Sequence, residues 1–262
     1  MAENFIVTTA RRPDVANENF ARELAVELGG QFVAREDFSF DVLRKIHGVE
    51  NILLVKKNSL AVVTAAGEFF FHPNTAHLRI KNLRGGEGDR LINALKISAG
   101  AKVLDCTLGL GSDALVAAYV VGSSGRVVAT EVNPLVAEIV RHGMKNFSAD
   151  TQPVVEAMRR VEVVTADCAD YLRTCADNSF DAVYFDPMFR RPVEKSSGIN
   201  PIRPLADDRA LTVDVVQEAC RVACRRVVMK EHSGSAEFAR LGFSVVEGGR
   251  YSSVAFGVID IN

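Results

Sequence analysis

From Ala101 onward, apolar runs rich in valine alternate with stretches of helical length: KVLDC, RVVATE, VEVVTAD, FDAVYFD and RRVVMK. Strands buried on both faces read as continuous apolar runs, so this texture predicts a parallel sheet covered by helices on each side. Two more strands, FSVVEG and SSVAFGVI, follow a short helix around Ala236 to Arg240 and close the sheet as a hairpin. The expectation is a doubly wound α/β fold, seven-stranded and mostly parallel.

The earlier part of the chain is patterned differently. FIVTTA reads as a strand, and ANENFARELAVELGG as a helix with Phe20, Leu24 and Leu28 on one stripe and Gly29 in the stop position. QFVARE, the helical SFDVLRKIHG, and a meander of NILLVKK, LAVVTA and EFFFHP follow. A basic and then glycine-rich stretch, LRIKNLRGGEGDR, leads into a helix at DRLINALKI with Asp89 as N-cap. The pattern divides the chain into a small N-terminal α+β domain, 1–84, and a larger domain, 85–262.

Composition narrows the function classes. The 262 residues are 48% hydrophobic and carry a net charge of -2, which excludes a protein that coats nucleic acid by charge alone. The cysteines are odd in number and form no CxxC pair, so reduced thiols are expected, with no disulfide framework and no metal site. Cys220 and Cys224 stand one helical turn apart and are expected to share a packed face. No apolar run approaches the roughly 18 residues a membrane helix requires, and the reading is cytoplasmic, with no membrane partner.

VLDCTLGLGSDA, Val103 to Ala114, contains a G-x-G-x-x-A loop, and Glu131 follows about 20 residues later at a strand end, as in dinucleotide folds. A pyrophosphate on that loop would be repelled by Asp105. S-adenosyl-L-methionine has no phosphate and carries an ammonium and a sulfonium, so Asp105 favours it over a nicotinamide cofactor. Gly109 and Gly111 would let the backbone approach this donor, Glu131 would accept from the ribose hydroxyls, and Asp167 would face the adenine amine.

The second motif, DPMF, ends the fourth strand. Methyl transfer is an in-line displacement that needs alignment and a usable lone pair. An exocyclic base amine, whose lone pair is delocalised into the ring, gains one by donating to Asp186 and to the Pro187 carbonyl while Phe189 stacks on the base.

With its GGEG, VLDCTLGLGSDA, EVNP, YFDPMF and VVMK segments in that order, the chain resembles the class I methyltransferases and, more narrowly, the RsmJ family, which methylates a guanine N2 amine in small-subunit ribosomal RNA. The resemblance implies a Rossmann-like sheet, donor contacts at Asp105, Thr107, Gly109, Gly111, Asp113, Glu131 and Asp167, and base contacts at Asp186, Pro187 and Phe189. It implies ribosomal RNA or the small ribosomal subunit as partner. The chain departs from the family pattern at Arg190 and Arg191, after DPMF, and at Glu231, after VVMK.

Arg190, Arg191, Lys195 and Arg203 in the loop after DPMF, Lys230 on the next strand, and a group of Arg79, Lys81, Arg84 and Arg90 are placed to meet RNA phosphates. Competing readings are amino-methylation of another RNA or of protein, a nicotinamide oxidoreductase, and a non-catalytic RNA-binding or ribosome-assembly module.

Overall fold

The computed structural model describes residues 4–148, 151–187, 202–248 and 252–261, which fall into two compact units. The first is built on β1 (Phe5–Thr9), α1 (Val15–Glu27), β2 (Gln31–Phe32), α2 (Phe40–His47), β3 (Asn51–Val55), β4 (Leu60–Thr64) and β5 (Gly67–Phe70). Its sheet runs β2-β1-β3-β4-β5; the first three strands are parallel, and β3, β4 and β5 form the antiparallel meander the sequence suggests. Helix α1 starts where Asp14 accepts from the Asn17 N–H, and α2 where Ser39 accepts from Val42. Gly48, at φ 63°, ends α2 in the left-handed conformation that favours glycine.

The second unit begins with α3 (Asn74–Arg84) and α4 (Arg90–Leu95), then β6 (Lys102–Asp105), α5 (Ser112–Val121) and β7 (Arg126–Glu131). Helix α6 (Pro134–Asn146) belongs to the first unit, where a Cβ on Gly143 would fall 2.2 Å from the Phe71 ring, so only glycine admits this packing. The chain continues with α7 (Gln152–Arg160), β8 (Val161–Thr165), α8 (Cys168–Thr174), β9 (Phe180–Phe185), α9 (Val213–Val222), β10 (Ala223–His232), α10 (Glu237–Arg240), β11 (Val245–Gly248) and β12 (Val254–Asp260).

The seven-stranded sheet runs β11-β12-β10-β9-β6-β7-β8, with β6 to β10 parallel and β12 antiparallel to both its neighbours. This is the expected Rossmann-like sheet, and the expected hairpin closes it by inserting β12 between β11 and β10. Its central strands are fully buried, with Leu104, Val128, Val183 and Phe185 at 0% exposure, which explains the unbroken apolar runs. Strand order reverses between β6 and β9, opening the crevice at their carboxyl ends where ligands bind in such sheets.

Two local expectations are corrected. The stretch read as a basic, glycine-rich connection is largely helix α3, which buries Ala76 and Ile80, one turn apart, and packs on α5. Helix α9 ends at Val222, so Cys220 and Cys224 share no helical face; Cys224 lies on β10 and donates to the Asn178 carbonyl. No helix among the described residues is long and apolar enough to cross a membrane.

Candidate active site

Parallel strands end on the same side of a sheet, so Asp105 at the end of β6, Glu131 at the end of β7, Asp167 just after β8 and Asp186 just after β9 gather at one rim. Lys230, near the end of β10, joins them.

After β6 the chain turns through Thr107 to Gly111. The Leu108 N–H bonds to Thr130 O at 2.9 Å, and Gly111 N–H returns to Leu108 O at 2.7 Å. Gly109 and Gly111 have φ of 47° and 74°. At Gly109 a Cβ would meet nothing closer than 3.8 Å, so backbone conformation rather than lack of space calls for glycine there.

Asp105 is 2% exposed. Its Oδ1 accepts from the Thr107 N–H at 2.9 Å and the Thr107 hydroxyl at 3.3 Å, while its Oδ2 is buried with no hydrogen-bond partner among the described residues. Burial, followed by the neighbouring charges of Asp113 and Asp186, pushes its carboxyl up to about 7. An unsatisfied buried carboxylate oxygen is costly and suits a cationic ligand group.

Glu131 accepts from the Gly109 N–H at 3.1 Å on Oε2 and from Asn133 N–H at 2.9 Å on Oε1, tying the glycine loop to β7. Burial raises its pKa. Each oxygen keeps a second lone pair for a ligand hydroxyl. Asp167 caps α8 through Ala169 N–H at 2.8 Å, and its Oδ2 accepts from Arg209 at 2.6 Å. Arg209 also grips Asp207 at 2.6 Å. Neither Arg209 nor Asp207 gives a signal in the sequence, since Arg209 reaches Asp167 from 42 positions away.

Asp186 is held from two sides. Its backbone N–H donates to the Thr107 hydroxyl at 2.6 Å, and its Oδ2 accepts from Lys230 Nζ at 2.6 Å. Lys230 also reaches Asp113 at 3.2 Å. Asp113, in the first turn of α5, additionally accepts from the Tyr184 hydroxyl at 2.8 Å and forms an ion pair with Arg79. Arg79 in turn makes a bidentate pair with Asp89, at 2.7 and 2.9 Å. Burial alone would raise the Asp113 pKa, but Lys230 and Arg79 together hold it well below the usual range. At Asp186 burial is opposed by Lys230 and reinforced by Asp113, leaving the carboxyl raised to about 6.

The structure therefore joins Asp105, Thr107, Asp186, Lys230 and Asp113 in one hydrogen-bonded network, with the Gly109–Glu131 pair and Asp167 at the same rim. Arg79 is spent inside it and is not free to meet a phosphate as expected; Arg90 is exposed and bonds to Ser252 and the Val254 carbonyl, and Lys81 and Arg84 are exposed. Phe189, Arg190, Arg191 and Lys195 lie outside the described residues. In the sequence Tyr184 is one residue of an apolar strand, and nothing there signals its hydroxyl.

A doubly wound sheet with a hairpin closing one edge, glycines and carboxylates at its switch point, and a loop unsuited to pyrophosphate define a methyltransferase of the S-adenosylmethionine class. A family model described as "Putative SAM-dependent methyltransferase" matches residues 44–242, and the chain belongs to that family. S-adenosylmethionine is its cofactor, which removes the nicotinamide reading. The chain is 41% identical over 243 residues to "Uncharacterized protein YpiP" of Bacillus subtilis, covering 92% of this chain and 94% of that one. It is 29% identical over 217 residues to ribosomal RNA small subunit methyltransferase J of Pseudomonas aeruginosa strain UCBPP-PA14, covering 80% and 78%. Among solved structures, a SAM-dependent methyltransferase from Neisseria gonorrhoeae shares the fold at a TM-score of 0.64 and 18% identity, covering 98% of this chain and 96% of that one.

Proposed function

We propose that this methyltransferase acts on an exocyclic base amine in RNA, and specifically on a guanine N2 in small-subunit ribosomal RNA, in the cytoplasm where that RNA is assembled. The observation that carries the reading is the placement of Asp186, the acid of the DPMF motif, one hydrogen bond from the glycine loop through Thr107. Similarity to ribosomal RNA small subunit methyltransferase J supports RNA as the substrate class.

In this reading the unpartnered Asp105 Oδ2 accepts from the donor's ammonium, Glu131 from the ribose hydroxyls, and Asp167, steadied by Arg209, from the adenine amine. Gly109, Gly111 and Thr107 shape the loop against it, and Asp113 acts at one remove by anchoring Lys230. Bound there, S-adenosylmethionine supplies an electrophilic methyl group on a sulfonium that leaves as a neutral thioether.

Asp186 accepts a hydrogen bond from the base amine, with Pro187 offering its carbonyl and Phe189 its ring. This draws the nitrogen toward tetrahedral geometry and localises its lone pair. Lys230 fixes one oxygen of Asp186 and keeps the carboxylate charged in a buried, acidic setting. The amine's surplus proton passes to Asp186 once the new bond has formed. Arg190, Arg191 and Lys195 contact phosphates flanking the splayed-out base.

The test is transfer of labelled methyl to small ribosomal subunits and naked RNA from cells lacking this gene, followed by nucleoside analysis. Label as N2-methylguanosine supports the proposal; label on another nucleoside or on protein contradicts its substrate.

A further inference from the structure

In the N-terminal sheet, the carboxyl ends of three adjacent parallel strands, β2, β1 and β3, lead into Arg35, Arg11 with Arg12, and Lys56 with Lys57. Neighbouring strands lie about 4.8 Å apart, so these cations form a crest spanning roughly 10 Å. The strand ends are held side by side by Val33 N–H to Val7 O at 2.8 Å and Ala10 N–H to Val55 O at 2.9 Å.

Lys56 is neutralised by Glu68. Arg11, Arg12 and Lys57 are exposed, and none forms an ion pair among the described residues. Arg35 lies over the Phe40 ring at 3.6 Å and leaves its Nη1 buried without a hydrogen-bond partner. Burial and then the positive charge of Arg11 lower the Arg35 pKa. Of the acids in these segments, Asp14 is committed to capping α1, and Glu36 and Asp37 are exposed. Arg12 sits at φ 56°, in the left-handed region that a non-glycine residue occupies at a cost.

The crest also carries a ring. Arg11 donates to the Asp37 carbonyl at 3.4 Å and Arg35 to the Phe38 carbonyl at 2.9 Å, two consecutive peptide groups, and the Phe38 side chain between them is 41% exposed. Cations that follow a phosphate backbone beside an exposed aromatic on which a base stacks are the recognition elements for single-stranded nucleic acid. An acidic protein surface would use the charges and leave the ring without a partner.

We propose that this crest is a docking surface for single-stranded RNA, with phosphates over Arg11, Arg12 and Lys57 and one base stacked on Phe38. The assignment rests on the reading of the active site as an RNA methyltransferase and gives the N-terminal unit its own part in holding that RNA.

The experiment is fluorescence anisotropy of the full-length protein with a labelled, unstructured oligoribonucleotide of about 20 nucleotides, a length spanning one or more typical single-strand sites. In Arg11→Ser/Arg12→Ser/Lys57→Ser, affinity should fall at least about tenfold, and the slope of log affinity against log salt should flatten by about 2. Phe38→Ser should lose about tenfold in affinity with the slope unchanged. Calorimetry with S-adenosylmethionine and a thermal melt should match the wild type in both variants. Unchanged RNA affinity and salt slope in the triple variant would overturn the proposal. So would competition by polyaspartate as effective as by unlabelled RNA, which would assign the crest to an acidic protein. Binding is measured without methyl transfer, so a different target base would leave this result standing.

Discussion

The Thr107 hydroxyl accepts from the backbone N–H of Asp186 at 2.6 Å and lies 3.3 Å from Asp105 Oδ1, joining the glycine-loop carboxylate to the DPMF backbone through one side chain. The two motifs are 79 positions apart in the chain yet separated by a single hydroxyl in space. Alignment of donor and acceptor depends on that contact in the proposed mechanism.

Thr107→Val leaves the Asp186 N–H without its acceptor, which costs about 1–3 kcal/mol if no water replaces it. Turnover should fall by about tenfold or more with donor affinity nearly kept, because the Thr107 backbone N–H still serves Asp105. Thr107→Ser should restore most of the rate. Steady-state kinetics beside donor calorimetry separates the two effects.

Lys230 opposes every other influence on Asp186. Without it, burial and the charges of Asp113 and Glu231 all raise the carboxyl further above about 6. Turnover requires the ionised form, so the wild-type rate should climb as pH rises through about 6, and in Lys230→Met that acid limb should move to higher pH. A pH–rate profile checks this, and partial rescue by raising the pH distinguishes lost charge control from lost structure.

Asp113 gathers Arg79, Lys230 and Tyr184. Asp113→Asn removes the anion that Arg79 and Lys230 share, while Asp89 and Asp186 still pair with them, so the loss should be about 1.5–3 kcal/mol. A fall of roughly 5 °C in melting temperature is expected for a chain of this size. Its lowered pKa means the contribution is complete above about pH 4 and is lost as pH falls from there through about 2.

Asp105 behaves oppositely. Its folded pKa of about 7 lies above the unfolded value, so its stabilisation is complete below about pH 4 and is lost as pH rises through 7. Asp105→Asn should therefore stabilise the donor-free protein at pH 8 by up to about 4 kcal/mol, with no gain at pH 4. It should also weaken S-adenosylmethionine binding by at least about tenfold, since an amide cannot match a carboxylate for an ammonium. Melts at both pH values with and without donor check the pair of effects.

The strands of the large sheet were legible because residues buried on both faces leave uninterrupted apolar runs, and the carboxylates were legible because each stands where such a run ends. Helix α3 was not, since its mostly polar sequence buries only Ala76 and Ile80 and gains its support from α5. Arg79 read as a surface cation because both its partners are supplied by later segments, 10 and 34 positions on. The Tyr184 hydroxyl and Arg209 were hidden for the same reason: local pattern reports burial and propensity, while a bond across many positions belongs to the assembled fold.

The most direct test of the account is methyl transfer to small ribosomal subunits by the wild type and by Asp186→Asn, with donor binding measured in both. The expected result is equal S-adenosylmethionine affinity within a few-fold, N2-methylguanosine formed by the wild type, and at least about a hundredfold lower turnover in the variant, within the range expected for loss of a positioned proton acceptor. Near-normal turnover by Asp186→Asn would contradict the placement of the acceptor amine on that carboxylate.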